Sequence, residues 1–350
     1  MNPGILCALA AAALFGASTP LAKTLVGDIP PILLAGLLYA GSGVGLTIVL
    51  LARLVVTRAS APFAWPVRGE WGSLLASIFF GGVLGPVLLM FGLAQLAAST
   101  ASLLLNLETA FTALVAWFLF RENFDRRIVL GMAAILAGAV LLSLAPGNIE
   151  GSSRGALLVA AACLCWALDN NLTRKVSASD ALFIAGLKGV VAGAVNLSLA
   201  TGLGYALPTG PLIAQAAAVG FLGYGLSLAL FVIALRQLGA ARTGAYFAIA
   251  PFFGAMLAIL MGGDTITLQL CVAAALMAIG VWLHVTEVHE HEHLHDAVDH
   301  IHAHRHDDHH RHAHDFEWDG TEPHTHRHRH EAFAHRHAHF PDVHHRHRHR

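Results

Sequence analysis

The sequence predicts an all-α integral membrane protein. It has ten transmembrane helices in two inverted five-helix repeats, followed by a histidine-rich tail expected to be disordered. Three observations carry this. First, the 350 residues fall into two chemically separate parts: all 24 histidines lie at or after His284. Up to residue 283 there are 13 Lys and Arg and 9 Asp and Glu, a net +4 in a stretch rich in Leu, Ala, Gly and Val. From His284 on there are 8 Arg and 13 Asp and Glu, a net −5 with histidine neutral. Second, the first part reads as a chain of apolar runs with no polar outer face, the composition of a polytopic membrane protein. Third, that part repeats itself.

Ten runs of roughly 20 apolar residues, bounded by charge, Pro or Gly, mark the spans. They cover 4–26, 31–53, 71–93, 97–120, 127–145, 155–173, 180–203, 212–235, 240–262 and 265–286. Backbone polar groups in lipid must be satisfied within the segment, so each run is a helix. The first run lacks a basic leader region and is followed by further spans, so it reads as a span, not a signal peptide. The four cysteines, Cys7, Cys163, Cys165 and Cys271, all fall inside apolar runs. They read as small buried residues and not as a disulfide framework.

Charge sets the orientation. With the N-terminus in the cytoplasm, the cytoplasmic loops hold Arg53, Arg58, Arg68, Arg121, Arg126, Arg127, Arg174, Lys175, Arg236 and Arg242. The opposite side has only Arg154 and Lys23. This positive-inside bias places both termini, and the tail, in the cytoplasm of a cell with the chain in its inner membrane.

The repeat is read by alignment of the chain on itself. "GILCALAAAALFG" from Gly4 matches "GALLVAAACLCWA" from Gly155, and "LLAGL" at 33–37 matches "FIAGL" at 183–187. "LAASTASLLLNLETAF" from Leu96 matches "LGAARTGAYFAIAPFF" from Leu238, with Glu122 and Asp264 following in register. The units are 1–148 and 149–286, with the tail at 287–350. Five helices per unit invert one unit relative to the other, an architecture of secondary transporters.

The opening "LFGASTPLAK" with its echo "CWALDNNLTRK", the helix "TASLLLNLETAFTALVAWFLFRE" and its echo "TGAYFAIAPFFGAMLAILMGGD" together resemble tandem EamA domains of the drug/metabolite transporter superfamily. The resemblance covers about residues 4–286 and rests on the order, spacing and duplication of these motifs. One departure is visible: the family's Glu-Pro pair is divided here, Glu108 being followed by Thr109 and Pro251 preceded by Ala250. The family implies ten helices around a central cavity, and substrates from amino acids to nucleotide sugars and drugs.

Charge inside a span needs a reason. Glu108 lies in the middle of the fourth helix near Asn106, Asp169 lies in the sixth beside Asn170 and Asn171, Lys188 lies in the seventh, and Lys23 near the end of the first. The functional reading is a polar pathway in which Glu108 and Asp169 bind a cation, a proton or an amine, with Lys23 or Lys188 as counter-charge. The structural reading is ion pairing, lysine reaching to the interface, or hydrogen bonds between helices. It is favoured for Lys23, and the functional one for the two carboxylates. The glycine-rich stretches, such as Gly41 to Gly45 and Gly189-x-x-x-Gly193, read as close helix packing, with hinging considered at Gly85-Pro86.

The tail has few apolar anchors, among them Phe316, Trp318, Phe333 and Phe340, so its composition argues for disorder. Its chemistry is imidazole at alternate positions. The candidate ligands are His289, His291, His293, His295, His300, His302, His304, His306, His309, His310, His312, His314, His324, His326, His328 and His330. They suit Zn, Ni, Co or Cu in a multi-site chelator. A cytoplasmic pH sensor is the second reading, since histidine titrates near pH ~6.5. Interspersed acids and arginines set the segment apart from an expression tag.

The expected function is a secondary transporter of small metabolites or drug-like solutes, running outward by alternating access. The alternatives are a Zn, Ni or Co efflux transporter fed by the tail, and a metal-sensing membrane protein without transport. No phosphate-binding loop is present for ATP-driven transport. An intramembrane protease using histidine finds none in any span before residue 283, so no enzyme is expected. The expected partners are the bilayer and a small-molecule or cation substrate, with a homodimer as the self-assembly considered and no nucleic acid.

Overall fold

The computed structural model describes residues 3–57, 69–120, 126–144, 149–173, 180–238, 240–286, 289–295, 298–304, 324–330 and 333–339. Among these, ten helices are long and apolar enough to cross a membrane: Pro3–Val26, Pro31–Arg53, Trp71–Gln95, Ala98–Val115, Arg126–Ser143, Ser153–Thr173, Leu182–Gly202, Gly210–Ala234, Thr243–Leu260 and Leu268–Val285. These are the ten expected spans, and their ends differ from the expected ones by no more than a few residues.

Local chemistry sets several ends. Asp180 caps the seventh span by accepting from the backbone N–H of Leu182 and Phe183, and Thr267 caps the tenth by accepting from Leu270. Gly204 and Gly262 take positive φ just past the seventh and ninth spans, where the turn of the chain favours glycine. Outward faces are apolar, with Val55, Phe118, Leu157 and Leu260 all strongly exposed. In a water-soluble protein such a surface would aggregate; here it faces lipid.

Packing shows the repeat in three dimensions. The first span lies against the eighth and ninth, and the sixth against the third and fourth. The second touches the eighth, and the seventh touches the middle of the third. Second and seventh pack on each other, as do fifth and tenth. Exchanging every span for its counterpart five later maps this contact set onto itself. The two self-paired contacts are made close by glycine. A Cβ at Gly189 would fall 2.6 Å from the backbone N of Gly43, and one at Gly280 would fall 2.6 Å from the side chain of Ile135. Gly193 packs the same way, 2.6 Å from the N of Ala40, which agrees with the packing role read from its spacing.

The spans are not all continuous. The third runs as a π-helix over Ile78–Leu84, and the eighth over Phe221–Leu226. The fourth is divided at 105–106 into Ala98–Leu104 and Leu107–Phe120, and the ninth at 248–249 into Ala240–Phe247 and Ala250–Leu260. Glu108 was expected in the middle of a continuous helix. It stands instead in the first turn after the break, where Asn106 and Glu108 donate their N–H three residues back, to Leu103 and Leu105. The third, eighth and ninth spans signal their irregularity in sequence through Gly81-Gly82 with Pro86, Gly223 with Gly225, and Pro251. The fourth has no proline or glycine at its break, so periodicity alone read it as one helix.

Beyond the tenth span the backbone of four strands is described: β1 (His289–His295), β2 (Val298–His304), β3 (His324–His330) and β4 (Phe333–His339). β1 pairs antiparallel with β4, and β2 with β3. Period-two alternation, the pattern of the tail sequence, is also the pattern of a strand. A two-stranded ribbon is marginal in water by itself. His306, His309, His310, His312 and His314 lie outside the described residues.

Candidate functional site

The interruptions gather where the first, third, fourth, sixth, eighth and ninth spans meet. Each one frees backbone carbonyls inside the membrane, and each freed carbonyl needs a donor. In the third span the Gly81 carbonyl accepts from both the Tyr39 hydroxyl (2.8 Å) and the Trp166 indole N–H (3.0 Å). Pro86 has no N–H to give the Gly82 carbonyl one turn before it, and the Asn196 side-chain amide donates there instead (3.3 Å). At the break in the fourth span, the Cys163 thiol donates to the Leu104 carbonyl at 3.6 Å.

Glycine then brings charge against the π-helix. A Cβ at Gly81 would overlap the carboxylate of Asp169, and a Cβ at Gly223 would overlap the side chain of Ser18. Ser18 and Asp169 occupy the same place in the two repeats, as do Gly81 and Gly223. The same backbone solution therefore occurs in both halves, but only one half carries a charge.

The structure brings two pairs of the expected site residues together. Asp169 Oδ1 accepts from Lys188 Nζ (2.6 Å), Ser77 Oγ (2.6 Å) and Thr173 Oγ1 (2.9 Å), tying the third, sixth and seventh spans. Both charged side chains are mostly buried, at 10% and 16% exposure. Glu108 Oε1 accepts from the Asn170 amide at 2.8 Å, across the fourth and sixth spans, and Asn170 itself is exposed. Glu108 therefore holds a hydrogen bond from a neutral donor, whereas Asp169 is locked in an ion pair.

The other three are elsewhere. Asn171 donates to the carbonyls of Ala167 (2.8 Å) and Thr112 (3.3 Å) and so joins the sixth span to the fourth. Asn106 donates to the Leu103 carbonyl and reaches Met277 Sδ at 3.8 Å, away from Glu108. Lys23 donates to the Leu93 carbonyl, near the end of the bundle where Asp264 accepts from the Ser99 N–H.

Sequence reasoning missed Tyr39, Trp166, Asn196, Ser77 and Thr173. Asn196 alone carried a signal, as a polar amide in an apolar run that is fully buried in the structure. The aromatic residues continue as a connected series: Tyr39 to Tyr224 (5.5 Å), Tyr224 to Phe15 (6.0 Å), Phe15 to Phe247 (5.4 Å) and Phe247 to Phe231 (4.9 Å). Among the described side chains no three of His, Cys, Asp or Glu converge as metal ligands.

Comparison with known proteins agrees with this architecture. A family model described as the EamA-like transporter family matches residues 2–144 and again residues 153–286. An "Uncharacterized transporter" of Methanothermobacter thermautotrophicus is 30% identical over 294 residues, covering 80% of this chain and 85% of that protein. "Uncharacterized transporter YyaM" of Bacillus subtilis is 26% identical, covering 57% and 68%. "Uncharacterized inner membrane transporter YedA" of Escherichia coli strain K12 is 22% identical, covering 68% and 76%. A solved crystal structure of a protein at 20% identity shares the fold, with a TM-score of 0.59 over 80% of this chain and 95% of that one. Two family matches, one on each five-helix half, and ten apolar helices place this chain in the EamA-like transporter family, as a multi-pass membrane transporter of small solutes.

Proposed function

We propose that the protein is a secondary exporter that moves a small metabolite or drug-like solute by alternating access, with Glu108 as the group that binds substrate or proton. The observation that carries this is the pairing of interruptions. The π-helix at 78–84 has its counterpart at 221–226, and the break at 105–106 has its counterpart at 248–249. Irregular backbone at membrane depth is tolerated where it lines a cavity or is buried in protein, and two equivalent sets let either half open in turn. Glu108 sits at one break, hydrogen-bonded but without a described ion-pair partner, so it is the carboxylate available to a cationic ligand or proton. Asp169 is engaged by Lys188 and serves the seal between spans.

The test is solute flux in proteoliposomes under an imposed proton gradient. Glu108→Gln keeps the Asn170 contact within reach but removes the charge. Flux is expected to fall by a factor of about a hundred or more, since an interaction needed in the transport cycle is lost outright. Wild-type flux in this variant would sink the assignment.

The tail supports a second reading, in which it binds a transition metal in the cytoplasm and the transporter exports that metal. Alternating histidine favours metal binding. The membrane part has no convergent ligand set among its described side chains, which favours a metal-binding tail on a solute transporter. Flux of Zn, Ni and Co by the full chain and by a chain ending after Glu287 separates these two. Metal flux that Glu108→Gln abolishes would make metal the cargo.

A further inference from the structure

The four strands of the tail share one feature that composition does not require. In β2 and β3 the paired positions are His300 with His328, His302 with His326 and His304 with His324. In β1 and β4 they are His289 with His339, His291 with His337 and His293 with His335. Each ribbon thus sets three histidines on one strand opposite three on the other, six pairs in all. The intervening positions form a different set: Glu292 is paired with Arg336, Asp299 with Arg329, Glu290 with Ala338, and Leu294 with Ala334. Both pairings keep the same register, with two residues between the paired segments on each strand. A one-residue slip on either strand would place every histidine opposite a non-histidine.

We propose that the tail is a metal-assembled β-ribbon whose sites are successive cross-strand histidine pairs, centred on His300, His302, His326 and His328. This deepens the metal-binding reading above and rests on it. The spacing fits. Directly paired positions on one face stand about 5 Å apart and successive positions on a strand about 7 Å apart. Two adjacent pairs therefore set four histidine positions at about 5 Å by 7 Å, a patch on the scale of one ion bound through Zn–N bonds of about 2.0–2.1 Å. One such site can be drawn in β2–β3 and another in β1–β4, from His289, His291, His337 and His339. Opposite charges at Glu292 and Arg336, and at Asp299 and Arg329, favour the same register on the intervening positions.

Folding and binding are one event in this scheme. A bare two-stranded ribbon is marginal in water, so the ion supplies the stability that an apolar core supplies elsewhere. Only neutral imidazole ligates. The ion that suits nitrogen ligands in this geometry is a borderline one such as Zn, with Ni, Co and Cu as competitors.

The experiment uses the full-length protein in detergent, titrated with Zn by calorimetry, with hydrogen exchange read across 298–304 and 324–330. The key variant exchanges His300 with Ile301 and His302 with Ala303, which keeps composition and charge but moves two histidines to the other set of positions. A control replaces His309, His310, His312 and His314 with Ala, outside the paired strands. The expected result is slowed exchange in both segments on adding Zn, and affinity at the tightest site about tenfold or more weaker in the exchange variant, with that site unchanged in the control. Zn binding that is insensitive to the exchange, or that brings no slowing of exchange, overturns the ribbon and leaves a chelating tail. Absence of Zn binding by the full-length protein overturns the ribbon and the metal-binding reading together.

Discussion

Asp169 collects Lys188, Ser77 and Thr173 on a single carboxylate oxygen, and Gly81 makes room for the other oxygen. Such a knot is costly to open from one side. Lys188→Met is expected to destabilise the protein by about 3–5 kcal/mol, because it leaves a buried charge without its partner. The double change with Asp169→Asn should cost clearly less than the two single changes combined. Denaturation in detergent measures this, and strict additivity would show that the two charges do not act as a pair. Asn196→Leu removes the donor to the Gly82 carbonyl and should cost about 1–3 kcal/mol by the same measurement. The residues singled out in sequence were legible because charge in a span has few explanations. Their partners were not. Serine, threonine, tyrosine and tryptophan are ordinary in apolar helices, and only proximity shows that Ser77 and Thr173 serve Asp169.

At the scale of elements, the ten spans were legible because length and apolar composition are the whole requirement for crossing a bilayer. The interruptions inside them were legible only in part. Pro86, Pro251 and the paired glycines mark three of them, whereas the break at 105–106 is decided by what surrounds it: Cys163 from the sixth span meets a carbonyl there. The π-helices depend on glycine in the same way in both repeats. Gly81→Ala would drive a methyl group into Asp169, and Gly223→Ala would drive one into Ser18, so each should cost at least about 1–3 kcal/mol. Gly27→Ala, where a Cβ meets nothing within 4 Å, is the control and should be near neutral. Equal stability in all three variants would show that the bulges tolerate a side chain.

Over the whole molecule, contacts exchange between the halves while the polar knot does not. In the first repeat the positions of Asp169, Thr173 and Lys188 hold Ser18, Ala22 and Leu38. The halves are alike in backbone and unlike in charge. The positive-inside distribution predicts that both termini face the cytoplasm. A reporter active only outside the cytosol, fused to the C-terminus, should be silent, and activity there would reverse the orientation. Removal of the tail after Glu287 should leave the thermal stability of the helical bundle unchanged, since the described tail segments pair only with one another.

The sequence by itself determined the number of spans, their duplication and the chemical separation of the tail. Each of these follows from local rules: apolar length, self-similarity and residue type. Tertiary structure alone decided which charges meet. Glu108 and Asp169 look equivalent in sequence, each an acid within a span, yet one faces Asn170 and the other is held by Lys188. The register of the histidine strands belongs to the same class of fact. Alternation fixes which positions share a face of one strand, but only pairing brings the second strand's histidines opposite them. The physical reason is common to both. An ion pair or a ligand set is a distance between segments remote in the chain, and no local pattern encodes a distance.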